Sequence, residues 1–209
     1  MAISLQKGQT ISLDKKTNDL SSITIGLGWK VKKKPGFFAK LFGGGDEFDL
    51  DAIAILLDDR GKITNLGGQQ LQGSDVIFFN NLHHTSGCVV HTGDNLVGGA
   101  GTQDDEQIIV KLNSLPAQYN RILFLVSIYQ GIQKKQHFGE IEQAFMRAVD
   151  ANGKEIVRYN MAEDPAYNNM RTMNFGEVYK KDGDWKFRAL GDAYPTDSFV
   201  NLLKQYVDE

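Results

Sequence analysis

The residues with the strongest chemical character are carboxylates in three short segments: Asp46-Glu47-Phe48-Asp49-Leu50-Asp51, Gly93-Asp94-Asn95-Leu96 and Thr102-Gln103-Asp104-Asp105-Glu106. At strand periodicity Glu47, Asp49 and Asp51 project from one face, where their charges repel unless something positive lies among them. Phe79-Asn80-Asn81-Leu82 adds neutral amide oxygens, and Gly98-Gly99-Ala100-Gly101 joins the second and third acidic segments with pliable backbone. Oxygen donors on glycine-flexed loops, without a dense His/Cys set, suit a hard divalent cation. Calcium accepts many oxygens in irregular geometry, whereas magnesium demands a stricter octahedron, so calcium is the favoured ion. The spacing does not match an EF-hand loop, and each acid taken singly also suits a solvated turn or a strand-end cap.

Other chemistries find less support. His83, His84, Cys88 and His91 are suitable transition-metal ligand types, but the spacing of a structural zinc motif is missing. A lone Cys has no resolving thiol for redox work. No nucleophile-base pair, phosphate loop or dinucleotide fingerprint is evident, so no catalytic residue is assigned and a non-enzyme is expected. A metal-dependent phosphoesterase or nuclease using the acidic loops is the enzymatic alternative. The segment at 30–45 combines Lys30, Lys32, Lys33, Lys34 and Lys40 with Phe37, Phe38, Leu41 and Phe42 and ends in three glycines. Lysines beside exposed aromatics suit an anionic membrane surface or a docked partner, with Lys32, Lys33, Lys34, Phe37, Phe38 and Phe42 as the contact candidates. A docking module that needs no calcium is therefore a second alternative, and a solvated loop with its aromatics folded back is the structural one.

The elements that position these groups are strands. Ile23, Ile25, Leu27 and Trp29 alternate with Thr24, Gly26, Gly28 and Lys30; Asp51–Leu57, Val76–Phe79, Gln107–Leu112 and Ile122–Tyr129 are apolar runs bounded by turn residues. Asn152-Gly153 and Asp182-Gly183 predict hairpins, the second with Trp185, Phe187 and Ala189 on a buried face. A turn is expected around Ser114–Ala117, a short helix around Gly139–Gln143, and a C-terminal helix over 196–207, where Phe199, Leu202, Leu203 and Tyr206 fall on one stripe. The fold class read from this pattern is mainly β, a two-layer β-sandwich with a few short helices and a C-terminal helix. It forms one domain over 1–209, interrupted by the basic and aromatic insertion at 30–45. Composition agrees: 209 residues with 41% hydrophobic content can bury a sizeable core, which argues against disorder. The net charge of -3 gives no reason to expect nucleic-acid binding, and one Cys excludes an internal disulfide framework and fits a reducing compartment. The first eight residues carry no long apolar run, so neither a signal peptide nor a membrane span is expected there.

Several ordered segments carry a resemblance: Ile25-Gly26-Leu27-Gly28-Trp29, Phe48-Asp49-Leu50-Asp51-Ala52, Phe78-Phe79-Asn80-Asn81-Leu82, His91-Thr92-Gly93-Asp94-Asn95-Leu96 and Asp104-Asp105-Glu106-Gln107-Ile108. With Phe145-Met146-Arg147, Phe175-Gly176-Glu177-Val178-Tyr179 and Trp185-Lys186-Phe187-Arg188-Ala189, the chain to about residue 191 resembles the TerD family of tellurium-resistance and general stress proteins. The resemblance implies a bacterial, cytoplasmic β-sandwich that binds one or two Ca2+ ions. It implies a place in operons for tellurite or other chemical-stress resistance; together with the basic and aromatic insertion, the expected role is a binding or scaffold module with other stress-operon proteins as partners and a peripheral contact at the inner membrane face. The ligands it implies are Asp49, Asp51, Asn80, Asn81, Asp94, Asn95, Asp104, Asp105 and Glu106. Three departures stand out: Glu47 replaces an Asp, which shifts it to a supporting position; Val97–Thr102 lacks acids that many relatives carry; and Gly191–Pro195 differs from the usual ending.

Overall fold

In the computed structural model, residues 2–32, 48–93, 104–161 and 164–208 are described. Their strands are β1 (Ile3–Leu5), β2 (Thr10–Ser12), β3 (Ile23–Val31), β4 (Leu50–Leu57), β5 (Val76–Ile77), β6 (Val89–His91), β7 (Glu106–Val110), β8 (Arg121–Ile128), β9 (Ile141–Asp150), β10 (Glu155–Met161), β11 (Thr172–Lys181) and β12 (Asp184–Tyr194). They form two six-stranded sheets in the orders β1-β10-β9-β3-β7-β6 and β2-β12-β11-β8-β4-β5. The pairing of β1 with β10 is parallel and the other strand pairings are antiparallel. This is the two-layer sandwich that the alternating pattern predicts.

Alternation decides which side chains fill the space between the sheets. Ile23, Ile25, Leu27 and Trp29 of β3 meet Leu50, Ala52, Ala54 and Leu56 of β4 in one buried cluster with Phe124, Phe175 and Phe187. The opposite face of β4 explains why 52–57 reads as a continuous apolar run instead of an alternating one. Ile53, Ile55 and Leu57 join a second cluster with Val76, Leu123, Leu125, Phe199, Leu202 and Leu203, so β4 is covered on both faces.

That second cluster also reshapes the expected C-terminal helix over 196–207, which is a single turn, α1 (Val200–Leu203). Phe199, Leu202 and Leu203 are buried as the periodicity requires. Beyond them the chain is drawn onto residues 62–63, where Ile63 N–H donates to Tyr206 O (2.7 Å) and Lys62 Nζ to Val207 O (2.8 Å). A few intrahelical bonds do not outweigh those contacts. The short helix expected around 139–143 is a single 3-10 turn at Phe138–Glu140, with β9 beginning directly after it, and a 3-10 turn at Leu112–Ser114 leads into the turn expected at 114–117.

The two hairpins differ. Asp182 and Gly183 both take positive φ (56° and 85°), the requirement of a primed two-residue turn. At the other, Asp150 N–H donates to Lys154 O across the residues 151–154, and Gly153 has positive φ while Asn152 does not. The Asp150 carboxylate accepts from Asn152 and Lys154 N–H, so the acid organises a longer turn than the Asn-Gly pair alone suggests. The run at 76–79 also ends early. The Asn81 amide donates to Ser74 O and Val76 O while its Oδ1 accepts from Gly73 N–H, folding the chain back after Ile77.

Candidate functional site

Register places the candidate residues at one end of the sandwich. β3 ends and β4 begins there, Leu50 pairs with Ile128 at the end of β8, and Glu106 at the start of β7 pairs with Leu27. His91 closes β6 beside Ile108. Trp29 stitches the layers: its indole Nε1–H donates to Phe48 O (3.2 Å), and its backbone N–H donates to Asp105 Oδ2 (2.9 Å). Asp105 N–H in turn donates to Leu27 O (2.7 Å), extending the β3–β7 ladder one step past the strand.

Glu106 crosses between the sheets. Its parity with Ile108 and Val110 turns it inward, and it is 1% exposed. Glu106 Oε2 accepts from the backbone N–H of Ala52 (2.6 Å), the residue after Asp51. Strand β5 pairs with β4 only at Ala54 and Ile55, so at Ala52 the carboxylate takes the place of a strand partner. His91 Nε2 lies 3.5 Å from the same oxygen, and its Nδ1 accepts from Gly93 N–H, which assigns the ring proton to Nε2 facing Glu106. Asp49 and Asp51 are buried (8% and 6% exposed) at the start of β4, and Asp49 O accepts from Tyr129 N–H. Asp49, Asp51, Asp105 and Glu106 thus lie along the seam at one end of the sandwich but on different faces: Asp51 has the parity of Ile53 and Ile55, so its side chain leaves β4 on the side opposite the one Glu106 meets.

Asp104 goes elsewhere. Arg147 grips it with a two-bond fork, Nε to Oδ1 (2.7 Å) and Nη2 to Oδ2 (3.0 Å), and Gln107 Nε2 also donates to Oδ2. Arg147 pairs in register with Gly26, whose neighbours Ile25 and Leu27 point inward, so the pair lies on the outer face of the first sheet. A Cβ on Gly26 would sit 2.2 Å from Asp104 Cγ, hence the glycine. Arg147 Nη1 continues to Glu155, which Arg158 also holds, and the Arg158 guanidinium lies 4.0 Å from the Phe145 ring centroid. Asp104 raises the Arg147 pKa, and hydrogen bonds from Arg158 and Arg147 hold the Glu155 carboxyl below its ordinary value against the opposing effect of burial. Asp104 therefore serves as the partner of an arginine, away from Asp49 and Asp51.

The asparagines divide too. Asn81 is buried and its carboxamide braces the 73–76 turn, whereas Asn80 is exposed and its carbonyl accepts from Gln72. Glu47, Asp94 and Asn95 lie outside the described residues, as do Lys33, Lys34, Phe37, Phe38, Lys40, Leu41 and Phe42. Lys32 Nζ donates to Gly139 O (3.1 Å), and Lys30 pairs with Glu142 (3.0 Å). Among the described residues no three His, Cys, Asp or Glu side chains are gathered closely enough to hold a metal ion.

The histidine and cysteine candidates are occupied separately. His84 Nε2 faces Asp75 Oδ1 (3.3 Å) and its Nδ1 faces Ser86 Oγ (2.7 Å), while Cys88 Sγ donates to Ser114 O. Asp75 is fully buried and accepts in addition from Tyr119 Oη (2.7 Å), Thr64 and Asn65. Burial opposes its ionisation, but the bonds from His84, Tyr119, Thr64 and Asn65 prevail and keep its pKa below the usual aspartate value. This knot and Arg147 escaped the sequence reading. An outward-facing glycine in a strand is the signal that points to Arg147; nothing local marks Asp75.

Comparisons with known proteins agree with the segments that carry the resemblance. The family model described as "TerD domain" matches residues 1–206. The chain is 48% identical to the tellurium resistance protein TerX of Serratia marcescens, over 99% of this chain and 100% of that one. It is 40% identical to stress response protein SCP2 of Bacillus subtilis (99% and 100%) and 39% identical to the tellurium resistance protein TerD of S. marcescens (99% and 97%). The crystal structure of a homologue of telluride resistance protein (TerD) from Streptomyces coelicolor A3(2) superposes with a TM-score of 0.61 at 14% identity, covering 90% of this chain and 99% of that one.

Proposed function

Because the chain belongs to the TerD family, which includes the tellurium-resistance and stress-response relatives above, we propose that it is a calcium-binding, non-enzymatic module of the stress response. The observation that supports this reading is that Asp49, Asp51, Asp105 and Glu106 all lie at one end of the sandwich, although no three of them are close enough to hold an ion by themselves. Their donors are all carboxylate oxygens, the set a hard cation prefers. The chemistry of these side chains suits calcium, but the described residues do not gather a site on their own. A full cage of six to eight oxygens draws further on Asp94, Asn95 and Asn80 or on water, with Glu47 in support. Asp104 and Asn81 are left out of the cage because Arg147 and the 73–76 turn engage them.

Calcium would neutralise like charges at the seam and order the segment that departs from it, so ion occupancy would set the surface offered to partners. The module would work in the cytoplasm with other stress-operon proteins. The Lys33, Lys34, Phe37, Phe38 and Phe42 segment would contact them or the inner membrane face. The test is calorimetric titration of the pure protein with calcium. Saturable binding between about 10⁻⁷ and 10⁻³ M, the span of oxygen-ligand sensor and extracellular sites, that is lost in Asp51→Asn is expected. A flat titration would refute it, and metal-dependent nucleotide hydrolysis abolished by Asp49→Ala would establish the enzymatic alternative.

A further inference from the structure

We infer that the loop from Tyr129 to Gln136 is a docking tip for an anionic lipid bilayer. The loop leaves β8 at the seam, where Tyr129 N–H donates to Asp49 O. It is held by many bonds: Gly131 N–H to Ile128 O, Lys134 N–H to Gln130 O, Lys135 N–H to Ile132 O, Gln136 N–H to Gly131 O, and Ile132 N–H to the Asp197 carboxylate (2.9 Å). Gln130 and Lys135 take positive φ (54° and 57°), a conformation that side chains with a Cβ rarely adopt. A tightly bonded, locally strained loop would normally be explained by apolar burial. Here Ile132 is left 57% exposed, and Tyr129, whose ring stands edge-on to Phe79 at 6.2 Å, is 39% exposed.

A well-bonded loop that presents an isoleucine and the edge of a tyrosine beside exposed lysines is a reason to look for a ligand. Charge selects which one. From Tyr129 to Gln136 the loop contains Lys134 and Lys135 and no acidic residue, and both lysines are exposed. The Lys134 ammonium lies 5.3 Å from the centroid of the Tyr129 ring, so positive charge and an amphipathic aromatic ring share one surface. Aliphatic and tyrosine side chains at the acyl boundary, with lysines level with anionic headgroups, is the arrangement an interfacial element uses. The acidic seam just behind the tip would oppose approach to such a surface until a cation neutralises it. Calcium dependence of docking therefore rests on the proposed function, whereas the tip itself does not.

Co-sedimentation with phosphatidylcholine vesicles and with phosphatidylcholine–phosphatidylserine vesicles, in calcium and in chelator, tests the inference. Calorimetry on the same preparation reports calcium binding separately. Binding to the anionic vesicles in calcium is expected, reduced about tenfold or more by Lys134→Glu/Lys135→Glu and by Ile132→Ser. Because these side chains are exposed, unchanged thermal unfolding should accompany the loss. Anionic-vesicle binding that is unaltered in both variants, or no vesicle binding by a protein that does bind calcium, overturns the docking tip and leaves the calcium reading standing. Binding that persists in chelator but is lost in the variants supports the tip and counts against calcium control. A self-associating protein that Ile132→Ser renders monomeric, without any vesicle binding, identifies a second copy as the occupant and overturns the lipid assignment.

Discussion

Asp104 and Glu106 are two residues apart and have opposite fates. Asp104 turns to the outer face of the first sheet, where Arg147 and Gln107 supply N–H donors to both oxygens; Glu106 turns inward and spans to Ala52 in the second sheet. The first is a neutralised ion pair that fastens the return of the acidic segment to β9. The second is a buried carboxylate between the sheets, held by a backbone N–H and with a histidine as its neighbour. Clustering in sequence is therefore a poor guide to shared function. Strand alternation assigns neighbouring acids to different faces, and the partner waiting on each face decides whether the charge is structural or available for a cation.

The sharpest way to break this contrast is to remove the arginine. The Asp104 side chain is 2% exposed, so Arg147→Ala strands a buried charge and should cost about 3–5 kcal/mol in urea unfolding. A loss below about 1 kcal/mol would mean that solvent already screens the pair. The glycine beneath it comes next. Gly26→Ala forces a Cβ into the Asp104 carboxyl and should cost about 1–3 kcal/mol, most of it recovered when the same change is made in an Asp104→Ala background. Equal costs in both backgrounds would show that the crowding lies elsewhere.

Calcium affinity then separates the two regions directly. Asp51→Asn should weaken calcium binding by about tenfold or more, roughly 1.4 kcal/mol, by removing charge from the seam. Asp104→Asn and Arg147→Gln should alter affinity to the same smaller extent, because both undo one fork, and the double variant should add nothing further. Should Asp104→Asn abolish binding while Arg147→Gln spares it, Asp104 is a ligand and the division drawn above is wrong.

What the sequence disclosed depended on the range of the interaction involved. The alternation of Ile23, Ile25, Leu27 and Trp29 and the runs at 52–57 and 122–128 expose their sheets because a strand's period is local. That Asp49, Asp51, Asp105 and Glu106 fall at or just before the starts of β4 and β7 also follows from those runs, but the faces on which their side chains lie follow only from the register. The fork on Asp104 was not: it joins residues 43 apart, and outward-facing Arg147 reads as an ordinary wet position until its register with Gly26 is known. Asn81 and the C-terminal stripe misled for a related reason. Each has the right local pattern, but a turn brace and the pull of Ile63 on Tyr206 settle the outcome through tertiary contacts.

The smallest effect concerns acid. Glu155 completes the outer-face network, and hydrogen bonds from Arg158 and Arg147 outweigh desolvation to keep its folded pKa below the unfolded value. With a depressed folded pKa, its contribution is fully present above the unfolded value of about 4.3 and is lost as pH falls through the folded one. Stability measured between neutral pH and that window should therefore change little from this group, then decline below it. In Glu155→Gln the decline should be shallower, by no more than about 1 kcal/mol because the pair is partly solvated, and weaker at high salt. Asp75 titrates in the same direction, so the difference between wild type and Glu155→Gln, not the wild-type curve alone, isolates the outer face. Identical acid profiles would show that Arg147 holds Asp104 without help from Glu155, confining the latch to the single fork over Gly26.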